Sequence, residues 1–273
     1  MTLKQIKILL GLTIIISLAS CVSKSEKFVP LFNGKNLDGW YIKIRSGGPQ
    51  LANKVFAVKN KMVHVFDDSF PDTIALKTGE NATHGMLYTN KKYSKFILRF
   101  EYKWGTKIAN NFDMYQYDAG CYYHVFDDEI WPKGIEYQVR YNHLTNTNHT
   151  GDFWAAGATF QWHTGKDSLR YLSPDMGGIP HPRRFDEHLA TATKNFNALN
   201  DKWNQCEVIV MGNEYAIHKL NGDIVNMATD LSVSEGKIAF QSETAEIFYR
   251  NIEIQEYLES IPMEEFIKKI DNN

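Results

Sequence analysis

The sequence predicts an all-β protein, a sandwich or barrel of antiparallel strands, and three observations support this fold class. About a dozen short segments are rich in aromatic and β-branched residues, and many of them alternate polar with apolar side chains. Turn-forming pairs such as Asn221-Gly222 separate several of the segments. A helical repeat of apolar residues is almost absent, and only one short amphipathic helix is predicted, at residues 261–270.

The predicted strands follow one another at short intervals. The clearest of them, residues 95–104, places large apolar side chains on one face and charged side chains on the other. Hairpin turns are predicted at Lys59-Asn60-Lys61 and at Asn221-Gly222. Strands are predicted at residues 56–58, 62–65, 85–89, 95–104, 121–126, 135–141, 158–163, 206–211, 215–220, 223–227, 237–241 and 246–255.

The strand pattern stops at residues 164–203, where three prolines and the pair Gly177-Gly178 interrupt it. A loop of this length inside a compact domain is usually a binding loop or a lid over a site. The alternative is a surface insertion held by salt bridges, and both interpretations stay open. Residues 28–273 are predicted to form a single β-sandwich domain that contains this loop.

The N-terminal residues have the pattern of a secretion signal. Lys4 and Lys7 precede an apolar run at residues 8–18, which is too short for a comfortable membrane span. The run ends in Leu18-Ala19-Ser20-Cys21, which resembles the lipobox of bacterial lipoproteins. In such a lipobox the cysteine receives lipid and becomes the new N-terminus. The alternative is an ordinary secretion signal that is followed by a cysteine by chance.

This pattern divides the chain and suggests a location. Residues 1–20 are predicted to be a lipoprotein signal peptide, Cys21 the lipidated residue, and residues 21–27 a tether. A lipid on Cys21 would attach the protein to a membrane of the cell envelope. Because Val22 rather than Asp follows the cysteine, we expect the outer membrane of a Gram-negative bacterium, on its periplasmic or surface side.

Charge and cysteine content narrow the possible partners and crosslinks. The chain carries 30 Lys and Arg residues against 32 Asp and Glu residues, and no basic run stands out. Since phosphate binding needs a concentrated basic surface, nucleic acid is not expected as a partner. Cys121 and Cys206 both lie in predicted strands. A disulfide between them and two buried free thiols are both open.

The segment Gly134-Ile135-Glu136-Tyr137-Gln138-Val139-Arg140 alternates strictly, so Glu136, Gln138 and Arg140 share one face of a strand. An acid, an amide and a guanidinium in a row, with aromatic residues nearby, suit a polyhydroxylated ligand, because rings stack on sugar C–H groups while polar groups bind hydroxyls. The alternative is a half-buried strand in which Glu136 pairs with a Lys or Arg. The nearby aromatic residues are Tyr122, Tyr123, Trp131, Trp154 and Trp162.

Several segments, taken in chain order, resemble one family. Residues 28–40 contain Phe-Asn-Gly-Lys-x-Leu-x-Gly-Trp, and residues 134–138 contain a Glu-x-Gln strand. Closing motifs stand at Lys202-Trp203-Asn204, Leu220-Asn221-Gly222 and Tyr249-Arg250-Asn251-Ile252. On these motifs, nearly the whole of residues 28–256 resembles the 3-keto-disaccharide hydrolases. The resemblance implies a concanavalin A-like jelly roll of the laminarinase type, a sandwich of two antiparallel sheets.

The resemblance also implies an activity, the cleavage of 3-keto-glycosides, which are sugars already oxidised to a ketone at C3. The chain departs from the family's motifs at three places that bear on which sugar is bound. Asp118-Ala119 stands where Asn-Ser is usual, His124 where Arg is usual, and Tyr141 where Asp is usual.

The chemistry of such a substrate determines which groups the site needs. A C3 ketone acidifies the C2 hydrogen, so a base can remove that proton, the enolate can expel the C1 substituent, and water can then add. The site therefore needs a base, a group that stabilises the enolate, and an acid near the leaving group. Glu136 is the leading candidate base, His124 a candidate acid or enolate stabiliser, and His163 a further catalytic candidate. Substrate contacts are predicted for Gln138, Glu101, Trp131, Trp154 and Gln161.

Structural roles remain open for these residues, and so do other functions. His124 could be a hydrogen-bonded sheet histidine, and Glu101 a salt-bridged surface residue. A non-catalytic glycan-binding lipoprotein would keep the same sandwich and the same aromatic residues. A conventional endo-glycosidase would act on unoxidised oligosaccharides, although no Glu-x-Asp-x-x-Glu strand of the laminarinase type is present.

No cofactor is required by the sequence, but a divalent metal remains an option. His124, Glu136 and His163 could hold one if the fold brings them together, and a metal would polarise the substrate ketone. The chain has no His-x-x-x-His or Cys-x-x-Cys spacing of the kind that zinc sites use. His181 and His188, in the long loop, could reach over the site, but the favoured interpretation is that they are surface histidines.

Overall fold

A computed structural model of the protein describes residues 27–71, 83–109, 115–166, 169–181 and 188–267. The predicted signal peptide and Cys21 lie outside these residues, so the lipid anchor and the envelope location stay predictions. Within the described ranges, no helix is long and apolar enough to cross a bilayer.

The described residues form 17 strands, two short α-helices and a short 3-10 helix at Pro174–Met176. The α-helices are α1 (Gly48–Val55) and α2 (Glu264–Ile267). The strands are β1 (Val29–Pro30), β2 (Trp40–Ile44), β3 (Phe56–Lys59), β4 (Met62–Val65), β5 (Gly85–Tyr93), β6 (Lys95–Ile108), β7 (Tyr117–Val125), β8 (Gly134–Asn142), β9 (Thr147–Asn148), β10 (Phe153–Ala156), β11 (His163–Thr164), β12 (Ile179–Pro180), β13 (Asn204–Met211), β14 (Tyr215–Leu220), β15 (Asp223–Thr229), β16 (Gly236–Ser242) and β17 (Ala245–Glu256).

Two large antiparallel sheets make up the fold. The eight-stranded sheet has the order β15-β14-β13-β6-β17-β4-β3, with β1 beside β17. The seven-stranded sheet has the order β10-β8-β7-β16-β5-β2, with β9 beside β8. A separate pair joins β11 to β12. The predicted all-β sandwich of two antiparallel sheets is therefore confirmed.

The core lies between the two sheets and follows from the alternation of their strands. Phe100 of β6 packs edge to face against Tyr137 of β8 at 5.8 Å and against Phe240 of β16 at 5.2 Å. Because successive side chains of a strand point to opposite faces, a ring buried in the core places the residues before and after it on the outer face. Cys121 and Cys206 are both buried and both free thiols, so of the two alternatives the disulfide is not formed.

The two predicted hairpins are present. Strands β3 and β4 pair around Asn60 and Lys61, which both have positive φ. Strands β14 and β15 pair around Asn221-Gly222, where φ is 48° and 93°. Positive φ at both central residues is the requirement of the tight turn that matches the twist of two antiparallel strands.

One predicted strand, at residues 158–163, is wrong. The segment follows Gly157, whose φ is 66°, and its strand pairing up to residue 162 is limited to an isolated bridge from Gln161 to Thr229. Of the predicted strand, only the last residue, His163, belongs to a strand, β11. The segment connects β10, at one edge of the seven-stranded sheet, with the β15 edge of the other sheet. The apparent alternation arises because the rings of Phe160 and Trp162 both pack against His188, not because the segment lies in a sheet.

The described parts of the loop at residues 164–203 cover the edge strand β10. His188 exchanges backbone hydrogen bonds with Phe153 of that strand. The Asp152 carboxylate accepts a hydrogen bond from the Ala190 amide, and Arg170 donates to the Ala190 carbonyl at 2.9 Å. These contacts protect an exposed strand edge, which is a structural role. A role as a lid stays a prediction.

A second apolar cluster covers the outer side of the eight-stranded sheet. Ile209 and Ile217 point away from the main core and are buried under residues 257–267, including Ile261 and Phe266. The Tyr215 hydroxyl donates to the Ile261 carbonyl and fixes this segment. The predicted helix at 261–270 is observed over Glu264–Ile267 within the described residues. The helix α1 was not predicted; it is eight residues long, and only Ala52 and Val55 of its residues are buried.

The C-terminal cover can be tested by Phe266→Ala. We expect a loss of about 1–3 kcal/mol in the free energy of unfolding, because a ring that shields the outer sheet face is removed. The matched control is Leu258→Ala, since Leu258 is 81% exposed, and it should change the free energy by less than about 0.5 kcal/mol. Urea unfolding at constant m-value measures both, and equal effects for the two variants would contradict the packing described above.

Candidate active site

The face of the seven-stranded sheet that points away from the core carries a dense group of polar side chains. Ile135, Tyr137 and Val139 of β8 are in the core, so the residues between them point outward. In the register of β7 with β8, Tyr122 lies opposite Glu136, Gly120 opposite Gln138, and Asp118 opposite Arg140. We call this group the polar face; its members are Asp118, Gly120, Tyr122, Glu136, Gln138 and Arg140.

Neighbouring strands extend the polar face on both sides. Trp154 of β10 lies opposite Glu136, so its ring borders the carboxylate row. On the other side, Ala239 of β16 lies opposite Tyr122. The same register brings Gln241 beside Gly120, two residues further along β16 and on the same face. The antiparallel pairing thus collects polar groups from strands that are more than 100 residues apart in sequence.

The Glu136 carboxylate lies directly over Gly120. A Cβ atom at position 120 would lie 1.9 Å from Oε1 of Glu136, so no other residue fits without displacing the carboxylate. Glu136 is 3% exposed. The absence of a side chain at the centre of the polar face therefore allows a charged group to lie flat on the sheet.

The electrostatic environment of Glu136 opposes its ionisation. Burial raises the pKa of the Glu136 carboxyl well above its ordinary value, and the nearby carboxyls of Asp118 and Glu243 raise this pKa further. A hydrogen bond from the Tyr122 hydroxyl and the charge of Arg140 lower the pKa, but they do not reverse the shift. Arg140 lies 3.7 Å from the Asp118 carboxylate. Among the described residues no Lys or Arg forms an ion pair with Glu136, so the alternative of a strand glutamate paired with a cation is not supported.

The remaining members of the polar face hold one another in place. The Gln138 amide nitrogen donates to Oδ1 of Asp118 and, at 3.2 Å, to the Ala119 carbonyl. The Asp118 backbone amide donates to the hydroxyl of Thr244 at 2.6 Å. These bonds fix the amide of Gln138 beside the carboxylate and leave little freedom for either group.

A second carboxyl, Glu243, belongs to this site and was not predicted. It directly follows β16, and burial raises its pKa to about 7 even though the charges of Arg140 and Arg45 lower it. Nε2 of His84 lies 3.5 Å from its Oε1. Burial, and then the charge of Arg45, lower the pKa of His84 to about 4, so this ring is neutral beside the carboxyl at neutral pH. The sequence signal was the alternation of Gln241-Ser242-Glu243, which continues past the predicted strand end.

The connection between β7 and β8 forms a wall on one side of the site. Residues 126–133 cross the sheet, and the Tyr88 hydroxyl donates to the Glu129 carbonyl at 2.5 Å while the Tyr41 hydroxyl donates to Asp128 at 2.8 Å. Trp131, which ends this wall, contacts His84 edge to face at 4.5 Å. Its ring is 46% exposed. Trp131 and Trp154 therefore lie on opposite sides of the polar face.

His124, the candidate acid or enolate stabiliser, does not lie on the polar face with Glu136. An extra residue in β7 opposite β16 forms a bulge, and His124 has φ of 50° there. The bulge turns the ring towards Phe96, where its nitrogens lie 3.1 and 3.2 Å from the carbonyls of Ser94 and Val233. Burial lowers the pKa of His124 to about 4. The ring is a sheet histidine in this position.

Three other predicted residues lie away from Glu136. Glu101 is on β6 of the other sheet, where it accepts hydrogen bonds from Arg250 at 2.7 Å and from Asn251 at 3.1 Å. Gln161 bridges to Thr229 at the edge of that sheet, and His163 pairs with Pro180 in the small sheet. The proposed metal ligands His124, Glu136 and His163 therefore do not converge. Among the residues in the described ranges, no group of three His, Cys, Asp or Glu side chains is arranged to hold a metal ion.

Several solved structures are similar to this chain. A protein proposed to be a glycosyl hydrolase, from Parabacteroides distasonis, is 19% identical over 84% of this chain and 93% of that chain, with a TM-score of 0.49. A second such protein from the same organism is 16% identical over 84% and 98% of the two chains, also with a TM-score of 0.49. A β-glucanase from Bacillus licheniformis is 11% identical over 86% and 99%, with a TM-score of 0.46.

The sequence itself matches a family model. No curated protein is significantly similar to it in sequence. Residues 27–255, which contain every large strand of both sheets and the whole polar face, match the model of the 3-keto-alpha-glucoside-1,2-lyase-like domain. The chain belongs to the 3-keto-alpha-glucoside-1,2-lyase-like family.

Proposed function

We propose that this protein cleaves glycosides that carry a ketone at C3 of the sugar, by elimination followed by addition of water, with Glu136 as the base. One observation carries the proposal: a buried carboxyl of raised pKa lies at the centre of a polar sheet face between two tryptophans. Family membership supports a carbohydrate as the substrate. Burial raises the pKa of this carboxyl, so its carboxylate is a stronger base than that of an ordinary glutamate.

The first half of the reaction needs Glu136 as a carboxylate. It takes the proton from C2, and the C–H electron pair forms a C2–C3 double bond while the ketone oxygen becomes an enolate. Arg140 is a cation on this face, and it offsets the negative charge that moves onto the sugar. When the ketone re-forms, the electron pair moves to C1–C2 and the bond from C1 to the leaving oxygen breaks.

The leaving oxygen needs a proton, and we assign Glu243 as its donor. With a pKa of about 7, this carboxyl is protonated in a large fraction of molecules at neutral pH. In the second half, Glu243 takes a proton from water, the hydroxide adds to C1, and Glu136 returns its proton to C2. Both carboxyls then regain their starting states, and the net result is hydrolysis of the glycoside.

The two carboxyls suit these complementary roles because each disfavours ionisation of the other. Glu243 is among the groups that raise the pKa of Glu136; Glu136 is buried and Glu243 is half-buried. Such a pair holds one shared proton over a broad pH range, with one acid and one base present together. The hydrogen bond from Tyr122 favours the ionised form at Glu136. The charges of Arg140 and Arg45 lower the pKa of Glu243, which burial raises, so that it is about 7.

The central role of Glu136 is tested by Glu136→Gln, assayed by release of the aglycone from a 3-keto-glucoside. We expect kcat/KM to fall by about 10³-fold, since the amide cannot accept the C2 proton. The control is Glu253→Gln, a half-buried glutamate on β17 of the other sheet, which should stay within about twofold.

The same assay separates the proposal from its alternatives. A wild-type protein that binds glycans but releases no aglycone would indicate a non-catalytic binding protein. Turnover of the unoxidised glucoside at the same rate would indicate a conventional glycosidase. Full activity in a folded Glu136→Gln variant would rule out this residue as the base.

The pH profile of kcat/KM tests the pairing of the two carboxyls. We expect a bell, because Glu136 must lose its proton, at a pKa well above its ordinary value, while Glu243 must keep its proton, at a pKa of about 7. In Glu243→Gln the alkaline limb should disappear. The acidic limb should move to lower pH, because a neighbouring negative charge that raises the pKa of Glu136 is gone. An unchanged profile in this variant would exclude Glu243 as the acid.

A further inference from the structure

The buried side chain of Gln241 has an amide oxygen that forms no hydrogen bond with the described residues. The residue is 3% exposed and lies on β16, opposite Met86 of β5. An unsatisfied buried acceptor costs about 1–3 kcal/mol. Folding alone would therefore favour an apolar residue here, especially since Met86 and Ala239 on this face are apolar.

The other amide of the polar face provides a contrast. The nitrogen of Gln138 donates to both Asp118 and the Ala119 carbonyl, so this amide is held by the protein itself. Gln138 and Gln241 lie on opposite sides of Gly120. Because Gly120 has no side chain, nothing from the sheet stands between the two amides except the Glu136 carboxylate above it. Gln241 thus borders the point where the proposed base acts.

We propose that Gln241 binds a hydroxyl group of the sugar ring and so selects the substrate; this inference rests on the proposed function. Rotation about its last side-chain bond exchanges the amide oxygen and nitrogen, and a hydroxyl can accept from one and donate to the other. Glu136 and Glu243 are close to this amide by sheet register, and the one negative charge that the pair keeps disfavours an anionic ligand. A neutral, hydroxylated ring is therefore the class of ligand that this position fits.

This role makes a prediction that a structural role does not. If the amide is reserved for substrate, Gln241→Met removes an unsatisfied acceptor and keeps the side-chain volume, so the melting temperature should stay unchanged or rise. If the amide were needed for folding, the melting temperature would fall. Gln205→Met, at an exposed position on β13, is the matched control for replacing a strand glutamine.

The decisive experiment compares kcat/KM for a 3-keto-glucoside and for its 4-deoxy and 6-deoxy analogues. Wild type should lose about 30-fold or more on the analogue that lacks the bound hydroxyl, because a site built for a hydroxyl rejects a substrate without one. Gln241→Met should lose a similar factor on the parent substrate but little on that analogue. Gln205→Met should behave like wild type on all three.

The outcomes distinguish this inference from the function on which it rests. If wild type turns over none of the 3-keto-glucosides, the proposed function fails, and the inference fails with it. If wild type is active but Gln241→Met loses the same factor on every substrate, or loses nothing, only the role of Gln241 is overturned. A fall in melting temperature for Gln241→Met alone would also overturn it.

Discussion

The contact between the Glu136 carboxylate and Gly120 is the constraint on which the rest of the site depends. A Cβ atom at position 120 would displace the carboxylate from its present place on the sheet. Glu136 is buried there, close to the carboxyls of Asp118 and Glu243. Its pKa is therefore raised mainly by burial and further by these two neighbouring acids. A flat sheet face becomes a chemical site because one of its side chains is missing and the neighbouring acid fills the space.

The architecture of the sandwich explains how these groups meet. Strand β16 inserts between β5 and β7, and this places Gln241 and Glu243 beside strands from a distant part of the sequence. The crossing loop at residues 126–133 adds Trp131 and encloses one side, while the edge strand β10 adds Trp154 on the other. A rigid sheet therefore supplies the acids, and the elements at its borders supply the rings. Fixed side chains on strands hold a reacting group more exactly in place than loops do.

The sequence predicted those features that depend on local alternation. The strand with Glu136 and Gln138 and the Asn221-Gly222 hairpin are where the residue pattern places them. His124 was misplaced because a single extra residue in β7 reverses the alternation, and nothing nearby in the sequence marks the bulge. Glu243 was missed because its role comes from the pairing of β16 with β7, which is a long-range contact. Residues 158–163 were wrongly predicted as a strand because Phe160 and Trp162 both pack against His188, which gives the same alternation as a strand.

The most direct measurement is the titration of the Glu136 carboxyl itself, by carbon-13 NMR of protein labelled at the glutamate side chains, with the resonance assigned by its loss in Glu136→Gln. A dry carboxyl that lies on Gly120 beside two other acids should titrate well above the ordinary glutamate value of about 4.3. Titration at or below that value would mean that the carboxylate is solvated or paired with a cation. The proposed base, and the site built around it, would then be excluded.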